Sequence, residues 1–170
     1  LIFVEVMFVS AIFIRPIRID DAADLHQARI QPNVMLYTEG MPALRLEATQ
    51  QFINSLGVDD HTLVAEVDGK AVGVASLHVH SGKQRHVAHI GIYIHDAYQK
   101  QGIGRALLEA LLNIADNFLG LIRVELEVYA DNTGAISLYE SLGFVAEGRK
   151  KKARFRNGQY VDILFMARVL

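Results

Sequence analysis

Residues 86–115 constrain the fold more than any other part of the chain. "HVAHIGIYIH" (His86–His95) is apolar on both faces around Ile90, Ile92 and Ile94, the pattern of a strand in the middle of a sheet. Soon afterwards Leu107, Leu108, Leu111, Leu112 and Ala115 fall on one face of a helix starting near Gly102. Between them lies "QKQGIG" (Gln99–Gly104), two glycines where a helix is about to begin. A helix N-terminus exposes unpaired amide hydrogens and the positive end of the helix dipole. Glycines there let a ligand come against the main chain. Gln99, Lys100, Gln101, Gly102, Ile103 and Gly104 therefore form a ring of donors suited to a pyrophosphate. The plainer reading is a tight strand-to-helix turn.

The rest of the chain supplies the neighbours of that central strand. "IFIRPIRI" (Ile12–Ile19) alternates like a strand, and Pro16 puts it at an edge. Asp20 or Asp21 is placed to cap a helix running through Ile30, and Leu44–Leu56 reads as a second helix. Two β runs meet at Asp68-Gly69, and the last two strands turn at Asn157-Gly158. "IRVELEV" (Ile122–Val128) is a further strand, and a short helix around Ala135–Leu142 ends at Gly143 as its C′ residue. The order β-α-α-β-β-β-α-β-α-β-β predicts an α/β (α+β) fold, a mixed sheet with helices on both faces. Residues 12–170 read as one domain, with 1–11 an extension that is either an extra strand or a leader upstream of the true start.

Composition excludes several classes. A net charge of -2 over 170 residues gives no global attraction to nucleic acid or to an anionic membrane. Arg15 and Pro16 interrupt the apolar N-terminal run too early for a membrane span. Without cysteine, disulfides and thiolate metal sites are excluded, and a cytoplasmic location is the default expectation. His78, His80, His86, His89 and His95 invite a metal reading, but no carboxylate or cysteine completes a ligand spacing, so none is expected. "GRKKKARFRNG" (Gly148–Gly158) is too short, and stacking on Phe155 alone too weak, for a nucleic-acid patch. It reads instead as a solvated strand with a flanking turn, with room for one lysine or arginine to reach a substrate carboxylate. The glycines do not complete a dinucleotide fingerprint, because Leu107 stands at the third position, and no Gly-Lys-Ser/Thr makes a Walker A loop.

"QKQGIG" followed by "RALL", together with "VYADNTGAISLYESLGF" (Val128–Phe144), resembles the acetyl-coenzyme A signature of the GNAT N-acetyltransferase superfamily, in which Q/R-x-x-G-x-G/A joins a central strand to a helix. "RNGxYVD…MAR" (Arg156–Arg168) is similar to the bacterial branch acting on free amino acids and other small amines. The resemblance implies acetyl transfer from acetyl-CoA to a primary amine in a ternary complex. It implies that the main chain of Ile92, Tyr93 and Ile94 holds the pantetheine arm and thioester carbonyl, along a strand that splays from its neighbour, usually at a bulge. The amides of Gln99–Gly104, with Arg105, would hold the pyrophosphate. Asn132 would hydrogen-bond the cofactor with Ala135 packed beside it, and Tyr139 would place its hydroxyl near the thioester sulfur.

Acetyl transfer needs a neutral amine, a stabilised oxyanion and a protonated thiolate. The amide of Ile92 or Tyr93 suits the second task and the phenol of Tyr139 the third. Tyr139 also fits as a plain core residue of its helix. Many relatives carry a glutamate base where this chain has His89, which can relay a proton or simply sit as a partly exposed strand histidine. Glu125 and Glu127 share a face of the next strand; Glu125 reads better as a salt-bridged residue and Glu127 as a group attracting or deprotonating the amine. The expected partner is a small-molecule amine, with no nucleic acid and no membrane, and the exposed sheet edges suit a homodimer. A protein amine as acceptor, or an acetyl-CoA-binding module without turnover, are the alternatives.

Overall fold

The computed structural model describes residues 11–170, so the reading of residues 1–10 lies outside the described residues. The chain forms β1 (Ile12–Pro16), α1 (Ala22–Arg29), α2 (Pro32–Tyr37), α3 (Leu46–Ser55), β2 (Asp60–Val67), β3 (Lys70–Val79), β4 (Val87–Ile94), α4 (Ile103–Asn117), β5 (Arg123–Tyr129), α5 (Thr133–Ser141), β6 (Val145–Arg156) and β7 (Gln159–Val169). The strands make one seven-stranded sheet in the order β1-β2-β3-β4-β5-β7-β6, in which only β4 and β5 run parallel. The turns form where the residue chemistry demands: Asp68-Gly69 and Asn157-Gly158 all carry positive φ, the signature of two-residue hairpin turns.

Helices cover both faces. Leu107, Leu108, Leu111 and Ala115 of α4 are fully buried against Ala75, Leu77, Ala88 and Leu126 of the sheet, and Tyr139 of α5 joins the same core. On the other face Leu25 of α1 packs with Val64, Ala71 and Val74, and Ile53 of α3 closes over them. β4 alternates between these layers, with Ala88 and Ile90 in the first core and Tyr93 against the second.

Two local readings are corrected. The segment before β2 holds three helices rather than two, because Pro32–Tyr37 forms its own. Its six residues are too few to show a helical period, and Pro32 at the start supplies the φ that helix entry needs. Asp21 does sit at the N-cap of α1, but its carboxylate does not cap. It accepts from both Nη atoms of Arg15, at 2.9 and 2.7 Å, and from the Arg18 amide at 2.7 Å. Burial works against its charge, yet these donors outweigh burial and hold its pKa below the usual range.

Candidate active site

The middle of the sheet is open along one seam. β4 pairs with β3 in unbroken register from Gly73↔Ile94 to Val79↔Ala88, and β5 pairs with β7 over its whole length. Between β4 and β5 the ladder ends at His89↔Glu125. Each strand is held firmly by its outer neighbour, so the twist of the sheet separates them beyond that point. The splay needs no bulge in the β3–β4 pairing. It leaves Gly91 exposed, and Ile92, Tyr93 and Ile94 only partly covered, in the central strand.

Strand alternation decides which main-chain groups face the cleft. The His95 amide donates to Val72 O at 2.8 Å, and Val87 O accepts from His80 at 2.9 Å, so the main chain of odd-numbered residues faces β3. The amides and carbonyls of Ile92 and Ile94 therefore point towards the seam, whereas those of Tyr93 are spent on β3. Tyr93 also turns its ring to the α1 side, where burial raises its pKa. The carbonyl of Ile94 already accepts from the Gln99 side chain at 2.9 Å.

The loop beyond β4 delivers the chain into α4 in an unusual conformation. Lys100 and Gly102 have φ of 60° and 84°, both in the left-handed region. Gly102 is the N-cap, and the first main-chain bond of α4 runs from the Ala106 amide to Gly102 O at 3.0 Å. The amides of Ile103, Gly104 and Arg105 thus precede the helical ladder at the positive end of a fifteen-residue helix. A Cβ on Gly102 would meet nothing within 4 Å, whereas one on Gly104 would lie 3.3 Å from Ile94 Cδ1 and Leu138 Cδ2. Gly102 serves the backbone conformation and Gly104 the close approach of helix to strand. The Arg105 side chain turns away to Ser141 Oγ at 2.7 Å.

α5 brings the remaining predicted residues to the same face of the sheet as α4. Asn132 is its N-cap: Oδ1 accepts from the Ala135 amide at 3.3 Å, which leaves its side-chain NH₂ for a ligand. At the other end Phe144 donates to Tyr139 O at 3.1 Å and Gly143 to Glu140 O at 3.0 Å, with Gly143 at φ 89°. This Schellman ending sets the Phe144 ring 6.0 Å from that of Tyr139 and fixes the phenol's place. Burial pushes the Tyr139 pKa up to about 12.

The opposite face of the seam is polar. His89 is half-buried, and burial lowers its pKa although Glu125 and Glu127 pull the other way. Glu125 is engaged by Arg123 at 2.8 Å, the salt-bridged role expected of it. Glu127 is paired with Lys150 and accepts from Arg154 Nη2 at 3.0 Å, and the Lys150 contact holds its pKa low. No group of three or more histidines and carboxylates that could hold a metal occurs among the described residues.

Beside Glu127 opens a cavity of about 610 Å³ between α2, the loop after it and the end of β6. Met35, Thr38, Glu39, Tyr129, Arg154 and Arg156 are among its lining residues. Arg154 Nε is paired with Glu39. Arg156 is paired with Asp131, donates to Leu36 O at 3.3 Å, and lies 5.3 Å from the Tyr37 ring and 5.1 Å from that of Tyr129. Tyr129 Oη donates to Thr38 O at 3.2 Å, and the Asn33 amide donates to Asp96 at 2.9 Å. α2 and its loop are thus tied to the turn after β4 and to β5 and β6. Sequence reasoning missed Glu39, Tyr129 and α2 itself; Pro32 just ahead of the apolar run Val34–Leu36 was the signal available.

The Acetyltransferase (GNAT) family model matches residues 23–144. The chain is 36% identical over 162 residues to the L-amino acid N-acetyltransferase AaaT of Escherichia coli (strain K12), covering 94% of this chain and 99% of that one. It is 26% identical to the spermidine N(1)-acetyltransferase of Vibrio cholerae, over 91% of this chain and 90% of that one. Its fold superposes with a TM-score of 0.80 on yncA of Salmonella typhimurium, solved with its cofactor acetyl-CoA, at 25% identity and 94% coverage of each chain. The open seam, the left-handed glycine and the exposed helix amides fit that cofactor. The chain belongs to the GNAT family and is an acetyl-CoA-dependent N-acetyltransferase.

Proposed function

We propose that the acceptor is a free amino acid or close analogue, acetylated on its α-amino group. The observation that carries this reading is Arg154, a guanidinium in the 610 Å³ cavity beside the seam, on the face that carries His89 and Glu127. A guanidinium suits a carboxylate by geometry and charge. Arg154 suits that task better than Arg156, whose side chain is only 15% exposed and clamped between two tyrosines. The similarity to an L-amino acid N-acetyltransferase supports the same acceptor class.

Acetyl-CoA supplies the acetyl group as an activated thioester, and the chain's own groups do the rest. The amides of Ile103, Gly104 and Arg105 bind the pyrophosphate with Gln99, Lys100, Gln101 and Gly102 shaping the loop, while Asn132 and Ala135 border the pantetheine arm. His89 takes the proton from the substrate ammonium, because its lowered pKa keeps it neutral at pH 7. Glu127, ionised and tied to two cations, fixes Arg154 rather than acting as base. The Ile92 amide stabilises charge developing on the thioester oxygen. Tyr139, protonated at any physiological pH, gives its proton to the departing sulfur.

The test is thiol release from acetyl-CoA across amino acids, amino-acid amides, polyamines, aminoglycosides and peptides. Amino acids should be turned over best, and Arg154→Ala should raise KM for an amino acid about tenfold without raising it for the corresponding amide. A preference for polyamines or peptides would overturn the acceptor class. The same reading includes a single domain over residues 12–170, cytoplasmic residence and a homodimer. It draws support from the continuous sheet, the bacterial sources of the relatives and, among the described residues, the sheet edges at β1 and β6. No helix among the described residues is long and apolar enough to cross a membrane.

A further inference from the structure

We infer that Glu39 is a place-holder for the acceptor's carboxylate, exchanged off Arg154 when the substrate binds, and is thereby a specificity-determining residue. The inference rests on the amino-acid reading above. Arg154 has five N–H donors on three nitrogens, and each nitrogen has one partner: Nη1 has its own neighbour Ala153 O at 3.0 Å, Nη2 has Glu127 at 3.0 Å, and Nε has Glu39. These partners differ in how firmly they are held. The Glu127 side chain is 24% exposed and secured again by Lys150, whereas that of Glu39 is 73% exposed and has no other ion-pair partner among the described residues. Glu39 is the one anion there that can leave at little cost.

The charge count around the cavity points the same way. Lys150, Arg154 and Arg156 are balanced by Glu39, Glu127 and Asp131. A carboxylate arriving at Arg154 meets the like charge of Glu39 on the same guanidinium, and that repulsion is relieved when Glu39 swings out. A zwitterionic amino acid resolves this by offering Arg154 a carboxylate in exchange, while its ammonium enters beside His89 and Glu127. An amine without a carboxylate cannot make the exchange and meets an Arg154 still paired with Glu39. α2 and its loop can accommodate the swing, because their other ties hold through main-chain groups: Asn33 N to Asp96, Arg156 to Leu36 O and Tyr129 to Thr38 O. Gly40 and the exposed Met41 follow Glu39 directly.

Steady-state kinetics of Glu39→Gln on an amino acid and on its amide test the exchange. Removing an exposed competitor should lower KM for the amino acid roughly two- to fivefold, the range an exposed ion pair spans. The change should fall on KM rather than kcat, and KM for the amide should stay put. Titration calorimetry of the amino acid into the CoA complex should show the same tightening. A KM that rises or stays constant, or an amide that responds equally, would overturn the exchange even where the wild-type enzyme acetylates amino acids well. A wild-type enzyme with no turnover of amino acids defeats the acceptor reading instead, so the two failures are distinct.

Discussion

The two sides of the seam offer opposite means of recognition. On the β4 side the groups proposed to recognise the donor are main chain: the Ile92 amide, a left-handed Gly102 and the first amides of α4. On the β5 side they are side chains in compensated pairs, with Glu39, Glu127 and Asp131 set against Lys150, Arg154 and Arg156. A main-chain site survives most substitutions, since only a change that moves the backbone can spoil it. A compensated set can be retuned by a single charge. A fold built this way holds its acyl donor constant and leaves the acceptor open to change.

That contrast can be broken at the catalytic junction first. Tyr139→Phe should cut kcat about 100-fold or more, the lower range for a lost general acid. The dissociation constant of acetyl-CoA should remain near the wild-type value, because the phenol adds nothing to the main-chain site. Unchanged turnover would return Tyr139 to a packing role against Phe144.

Next in size is Gly102→Val, which attacks the main-chain side alone. A branched side chain disfavours the left-handed conformation by about 1–2 kcal/mol, so acetyl-CoA should bind roughly 5- to 30-fold more weakly. A Cβ at that position meets no protein atom within 4 Å, so a steric clash would not account for the loss. Affinity that stayed constant by calorimetry would show that this loop does not hold the diphosphate.

The smallest effect sharpens the polar side. His89 has its pKa lowered by burial, so its neutral form prevails at pH 7 and is lost as pH falls through a value below 6.5. kcat/KM should therefore fall about tenfold per pH unit below that point, and His89→Gln should abolish this acidic limb. A limb that persists in the variant would assign the proton to water.

The same contrast explains what could be read from the sequence. The segments of the proposed donor site were legible because their determinants are local: Gly102 and Gly104 are two residues apart, and Asn132, Tyr139 and Gly143 lie on one helix and its ends. The hairpins at Asp68-Gly69 and Asn157-Gly158 were legible for the same reason, each turn carrying its own φ requirement. The acceptor side was legible only in part: a basic side chain of Gly148–Gly158 was expected at a substrate carboxylate, but its partners were not. Glu39 and Arg154 are 115 residues apart, and nothing near either one announces the other. α2 escaped because a six-residue helix held by tertiary bonds leaves no period to detect. Choosing between Ile92 and Tyr93 as donor required the strand's orientation towards β3, which depends on which neighbour it pairs with.

The Gln99 side chain, bonded to both Ile94 O and Asp96, clips the loop onto the last residue of the strand. Two separate contact points thereby become the jaws of a caliper whose opening is set by the protein before any donor arrives. Such a tool gauges length: a truncated thioester such as acetylpantetheine touches one jaw only. In the proposed donor site, reach would be gauged before the acetyl group.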